Sequence, residues 1–137
     1  RPHDLDAPDM AVVVEGALDY LTALQIWPDA WVLGAVDAGS LGLVAAHAAS
    51  VLAAAGSGRL LIVEQNDGSG RAADRSVNED PNAATKVAVR LLGPKRIGWL
   101  FCEDDGGGYP VKDLNDLLRR RVADACRATA KWWVELP

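Results

Sequence analysis

Four short apolar runs constrain the fold of this chain more than any other feature. They lie at residues 11–14, 31–36, 60–63 and 97–102, and each has few polar residues inside it. Near-continuous apolarity is typical of strands that are covered on both faces, as in a parallel sheet. Helical patterns fill the segments between the runs, which indicates βαβ units with right-handed crossovers. The sequence therefore predicts an α/β fold with a compact four-stranded parallel sheet flanked by helices.

The connecting segments carry start and stop signals for helices. Apolar residues recur at helical spacing across residues 17–26, directly after the first run. Ser40 is the predicted N-cap of an alanine-rich helix, and Gly56 is its predicted C-terminal stop. A further helical pattern opens at a proline and closes at a glycine within residues 81–93. Each predicted helix thus joins two consecutive strands.

Composition limits the classes of protein to which the chain can belong. A chain of 137 residues that is 50% hydrophobic can bury one core but not two. Its net charge of −5 argues against a self-sufficient nucleic-acid binder, because phosphate contacts depend on clustered Lys and Arg. Its two cysteines lack metal-ligand spacing, which favours reduced thiols in a cytoplasmic protein. No apolar run approaches the ~20 residues of a membrane span.

The chain divides into three parts on composition. Residues 1–10 contain two prolines and no initiator Met, so we interpret them as a linker from an upstream region. Residues 11–121 hold all four apolar runs and form the predicted domain. Residues 122–137 are the predicted C-terminal helix and tail, in which Trp132 and Trp133 are interpreted as packing residues rather than as platforms for bases.

Acidic residues end two of the predicted strands. Glu15 follows the first apolar run and is itself followed by a glycine, while Glu64 and Asp67 follow the third run. The carboxyl ends of parallel strands meet at one edge of a sheet, where open α/β folds bind their ligands. Carboxylate oxygens are the ligands that hard cations such as Mg²⁺ prefer. The sequence therefore predicts a divalent-metal site at this edge.

Four segments resemble the Toprim fold of bacterial primases, topoisomerases and some nucleases. Residues 14–19 are similar to its first motif, a strand that ends in Glu-Gly before a helix, and residues 64–70 are similar to its second, Asp-x-Asp with a small-residue turn. Residues 36–41 and the Lys-Asp-x-Asn-Asp-Leu-Leu element at residues 112–118 complete the match. The resemblance covers about residues 11–120 and is closest to the Toprim domains of phage and plasmid primase-helicase proteins.

The resemblance implies a Rossmann-like Toprim fold and a Mg²⁺- or Mn²⁺-dependent nucleotidyl transferase that makes primers. In that case Glu15 acts as general acid or base, and it binds the metal together with the second-motif carboxylates Glu64 and Asp67. Secondary candidates for the site are Asp113, Asn115 and Asp116. The implied partners are NTPs and a single-stranded DNA template, reached through helicase or template-binding domains on the same or another chain.

Some alternatives remain open in the sequence. Gln65 stands where the second motif has its first Asp. Residues 68–80 resemble an insertion after this motif, and an alternative alignment of the motif uses the turn at Asp80. The element at residues 112–116 is equally typical of a helix N-terminus with its cap. The metal could also serve a nuclease that cleaves phosphodiesters. A third possibility is a non-catalytic module with a decayed metal motif, used for nucleic-acid or subunit contacts.

Overall fold

The structure is a computed structural model, and it describes residues 9–65, 88, 90–102 and 111–132. These residues form a mixed α/β fold in which strands and helices alternate. The strands are β1 (Met10–Glu15), β2 (Trp31–Ala35), β3 (Arg59–Glu64), β4 (Ile97–Phe101) and β5 (Lys131–Trp132). The helices are α1 (Ala17–Ile26), α2 (Ala38–Ala55), α3 (Leu114–Arg120) and α4 (Ala123–Ala128). A 3-10 turn at Pro94–Arg96 precedes β4, and residues 90–92 before it are helical.

The sheet confirms the predicted α/β class. Its strand order is β2-β1-β3-β4-β5, and the pairs from β2 to β4 are all parallel. The four predicted apolar runs therefore form the four-stranded parallel sheet. The short strand β5 pairs antiparallel with β4 and adds a fifth strand that the sequence analysis did not predict.

Helices cover both faces of this sheet, which explains why the strands are apolar throughout. Along β1, the side chains alternate between two buried clusters, with Ala11 and Val13 in one and Val12 and Val14 in the other. The first cluster lies under α2, and the second lies under α1, α3 and α4. Successive strand residues point to opposite faces. The alternation therefore shows whether a side chain at a strand end lies on the α2 face or on the face covered by α1, α3 and α4.

Helix α2 begins differently from the prediction. Asp37, not Ser40, is its N-cap, because the Asp37 carboxylate accepts a hydrogen bond from the Ser40 amide at 2.9 Å. The Ser40 hydroxyl accepts one from the Asp37 amide at 3.3 Å, which completes a capping box. The predicted N-cap is therefore the third helical residue. The predicted stop is confirmed, since Gly56 takes the left-handed conformation with φ 79°.

The described segments contain two cysteines, and both are free and buried. Burial raises the pKa of the Cys102 thiol well above its usual range, which keeps this side chain neutral in the core. Within the same segments, no helix is both long enough and apolar enough to cross a membrane.

We predict that Gly98→Ala destabilises the protein by about 2 kcal/mol through overpacking. A Cβ atom at this position would lie 2.5 Å from Cε3 of the Trp132 ring. That ring packs on β4, and the Arg59 guanidinium lies 3.8 Å from its centroid. In a Trp132→Ala background the clash is absent, so the same change should become neutral or stabilise by about 0.5 kcal/mol. Urea unfolding of the four proteins measures this, and equal effects in both backgrounds would contradict it.

Candidate metal site at the carboxyl edge of the sheet

Glu15 and Glu64 end two neighbouring strands of the sheet, β1 and β3. The parallel pairing of the two strands ends at Val13 and Ile62, and Glu15 and Glu64 each follow two residues later. Glu15 continues the alternation of Ala11 and Val13, and Glu64 continues that of Leu60 and Ile62, so both belong to the α2 face. The structure therefore brings these two predicted site residues to the same edge and the same face.

This edge is also the point at which the strand order reverses. The chain leaves β1 through α1 toward β2 on one side, while it leaves β3 toward β4 on the other. Connections that diverge in this way leave a crevice between the two strand ends, and open α/β sheets bind ligands there. Glu15 and Glu64 lie one on each side of this topological switch point.

The donor chemistry of the pair fits Mg²⁺. This ion is usually held by one or two protein carboxylates, with water and substrate phosphates completing its octahedron. Glu64 is only 5% exposed, while Glu15 is half-buried at the end of β1. A cation bound between these two strand ends would take carboxylate oxygens from both residues.

The other predicted ligand lies outside the described residues. This ligand is Asp67. The candidate insertion at residues 68–80, with the alternative turn at Asp80, also lies outside the described residues. In the segments that the structure does describe, no group of three or more His, Cys, Asp or Glu side chains is close enough to hold a metal ion. Within the described residues, the candidate site therefore consists of the two strand-end glutamates.

Gln65 lies on the opposite face of the sheet, away from these glutamates. Its side-chain amide donates a hydrogen bond to the Glu15 backbone carbonyl at 3.1 Å and another to Asp19 Oδ2 at 3.2 Å. The position at which the resemblance implies a metal-binding Asp therefore holds an amide that bridges β1 and α1.

Asp19 is a functional candidate that the sequence analysis missed. It is 2% exposed, and besides Gln65 it accepts hydrogen bonds from the backbone amides of Leu114 at 3.1 Å and Asn115 at 3.0 Å. These are the first two amides of α3, which have no partners within their own helix. Asp19 thereby fixes the start of α3 against α1.

The three secondary candidates lie at this same helix start. Asp113 is the N-cap of α3 and accepts from the Asp116 amide at 2.9 Å, which confirms the predicted helix cap. Asp116 Oδ2 accepts from the Lys112 amide at 3.2 Å. Asn115 Oδ1 lies 3.2 Å from the Thr22 hydroxyl on α1. The Lys-Asp-x-Asn-Asp element is therefore engaged in beginning α3 and joining it to α1.

Burial raises the pKa of the Asp19 carboxyl above its ordinary value of 3.8. The removal of water is the largest influence, because it disfavours the charged form. The backbone amides of Asn115 and Leu114 lower the pKa in part. The nearby Asp113 carboxylate raises it further, while the amide of Gln65 lowers it.

We therefore expect Asp19 to make the folded protein less stable as the pH rises above the ordinary carboxyl range. The unfolded chain loses this proton near 3.8, and the folded chain loses it at a higher pH. Between the two values the unfolded state binds fewer protons, so the free energy of unfolding falls with rising pH. Asp19→Asn lacks this titration. Urea unfolding between about pH 3 and 7 gives the free energy of unfolding of both proteins. The wild-type value minus the variant value should fall as the pH rises and then level off. A difference that grows with pH would contradict this.

The fold and the site together define an α/β protein with paired glutamates at the switch point of a parallel sheet. No family model matches the chain, and no curated protein or solved structure matches it either.

Proposed function

We propose that the chain is the Mg²⁺-dependent nucleotidyl-transfer domain of a primase-like DNA replication protein, with a Toprim fold. The observation that carries the proposal is the placement of Glu15 and Glu64 at neighbouring strand ends and on one face of the carboxyl edge, at the point where the strand order reverses. The ordered resemblance of the four sequence segments to Toprim domains supports the same reaction class.

Each glutamate has a role in this proposal. Glu64 is the more deeply buried of the two and would hold the cation. Glu15 is half-buried at the crevice, so it can contact both the cation and substrate, and it would serve as general acid or base. A bound Mg²⁺ supplies stabilisation of the charge that develops on the attacking and leaving oxygens of a phosphoryl displacement. Asp67 is the proposed further ligand.

The charge of the chain bears on its partners. With a net charge of −5, the domain is a poor match for a polyanion by itself. We therefore propose that single-stranded DNA template is held mainly by helicase or template-binding domains on the same or another chain. NTPs would enter at the metal site.

One observation favours a second candidate function. Gln65 stands where the resemblance implies an acidic ligand, and its amide is engaged with the Glu15 carbonyl and with Asp19. A module whose metal motif has decayed, retained for nucleic-acid or subunit contacts, would have this feature. The two candidates differ in whether the protein turns over NTPs.

An assay of the full-length protein with labelled NTPs, labelled single-stranded DNA and Mg²⁺ or Mn²⁺ separates these functions. The proposal predicts template-dependent primers that lengthen with time and disappear in EDTA. Shortened DNA without primers would instead identify a nuclease. If neither product forms while the protein still binds template, the non-catalytic module is the correct interpretation.

A further inference from the structure

Gln65 connects the two strand ends that carry the glutamates. It follows Glu64 directly, and its amide reaches across to the carbonyl of Glu15 at 3.1 Å. One side chain on the opposite face thus bridges β3 to β1 at the very residues that the proposed function uses. A bridge of this kind fixes how far apart the two strand ends lie.

Asp19 holds that bridge in place. Its Oδ2 accepts from Gln65 Nε2 at 3.2 Å, while the amides of Leu114 and Asn115 bind the two oxygens of the same carboxylate. Three donors from two separate segments therefore orient one buried carboxylate. Because its orientation is fixed from α3, Asp19 can in turn fix the orientation of the Gln65 amide.

The chemistry of position 65 requires a donor. Both of its partners, a carboxylate and a carbonyl, are acceptors. An Asp or Glu at this position would place a second carboxylate against Asp19 and the Glu15 carbonyl, where like charges repel and a donor is needed. It would also face away from the side chains of Glu15 and Glu64. An amide satisfies both acceptors at once.

We propose that Gln65, oriented by Asp19, is a positioning residue that sets the spacing between Glu15 and Glu64 and is not itself a metal ligand. The inference rests on the proposed function, because it assigns these residues a role toward the same metal site. It also explains why an amide stands where the resemblance implies an acidic ligand.

The test compares Gln65→Glu, Gln65→Met and Asp19→Asn with Gln25→Glu, the same chemical change at an exposed position of α1. In the metal-free protein, NMR exchange of the Gln65 side-chain amide reports the bridge directly. It should be slow in the wild type and faster in Asp19→Asn, whose side chain offers one oxygen to the three donors that the Asp19 carboxylate binds. The Mn²⁺ affinity, measured by electron paramagnetic resonance, then reports whether the two glutamates still form the site.

We expect Gln65→Glu and Gln65→Met to weaken Mn²⁺ binding at least tenfold, and Gln25→Glu to leave it within twofold. The uncharged Met variant keeps the test valid if the Glu variant does not fold. Equal or tighter Mn²⁺ binding by Gln65→Glu would identify position 65 as a ligand position and overturn the inference alone. Unchanged Mn²⁺ binding by Gln65→Met, or fast exchange of the Gln65 side-chain amide in the wild type, would also overturn the inference alone. A wild-type protein that binds no Mn²⁺ would overturn the proposed function, and this inference with it.

Discussion

Glu15→Gln is expected to lower the rate of template-dependent primer synthesis by at least about 100-fold, the usual effect of removing a general acid or base. The variant keeps the shape of the side chain but loses its charge and its ability to take up a proton. The residue is half-buried at the end of β1 and outside the two apolar clusters. Its replacement should therefore change the free energy of unfolding by less than about 1 kcal/mol.

Glu64→Gln should have a comparable effect, since its side chain shares the face and the edge with Glu15. If both carboxylates hold one cation, the double variant should lose little more than either single variant, because groups that act as a unit are not additive. Asp29→Asn is the matched control. It is exposed in the turn between α1 and β2, at the other edge of the sheet, and should retain wild-type activity. A Glu15→Gln protein with more than half of the wild-type rate would contradict the assignment.

The largest expected effect on stability is that of Asp19→Ala, at about 3 kcal/mol. The truncation leaves the Leu114 amide, the Asn115 amide and the Gln65 side chain without their acceptor. Buried donors that lose their partner cost more than the hydrogen bond itself contributes. Part of this cost is offset because the carboxylate no longer has to be buried, as its raised pKa indicates.

Urea unfolding measures this loss, with Asp29→Ala as an exposed control expected to stay within about 0.5 kcal/mol of wild type. Amide exchange adds a local measure. Residues 114–117 should lose protection in Asp19→Ala before the strands of the sheet do, because the start of α3 depends on this carboxylate. A change below about 0.5 kcal/mol would show that the hydrogen bonds of Asp19 contribute little.

The sheet was predictable because each parallel strand is buried on both faces and is therefore a short apolar run between helices. The strand β5 was not predictable in the same way. It has two residues, and it depends on the absence of a side chain at Gly98, which leaves space for Trp132. Such a contact depends on three-dimensional packing and has no periodic signal in the sequence.

The strand-end glutamates were predictable from their places after apolar runs, but their common face was not. In the structure Glu64 is the last residue of a regular strand and is in register with Phe101 of β4, so its face follows from the alternation along β3. Gln65, one residue further, is the side chain that lies on the other face. The common face of Glu15 and Glu64 depends on how β1 and β3 pair, and the sequence of one strand alone does not show that pairing.

The position of Asp19 within α1 could have identified it from the sequence. The buried side of α1 consists of Asp19, Thr22, Ala23 and Ile26, which are spaced as one helical stripe. Two polar residues on an otherwise apolar stripe must find hydrogen-bond partners. The partners of Asp19 lie some 95 residues away at the start of α3, so their identity depends on the tertiary structure. Leu18 and Leu21 of α1 are 58% and 55% exposed. The positions of the apolar residues alone therefore did not identify the buried side of this helix.

The central claim is that Glu15 and Glu64 hold a divalent cation, and a metal titration followed by thermal unfolding tests it most directly. A ligand that binds only the folded state at about 100 times its dissociation constant stabilises by about 2.7 kcal/mol. For a domain of this size we expect Mg²⁺ or Mn²⁺ to raise the wild-type Tm by about 8 °C. The shift should disappear in Glu15→Gln and Glu64→Gln, diminish in Asp67→Asn, and persist in Asp29→Asn. No shift in the wild type, or an equal shift in the glutamate variants, would contradict the claim.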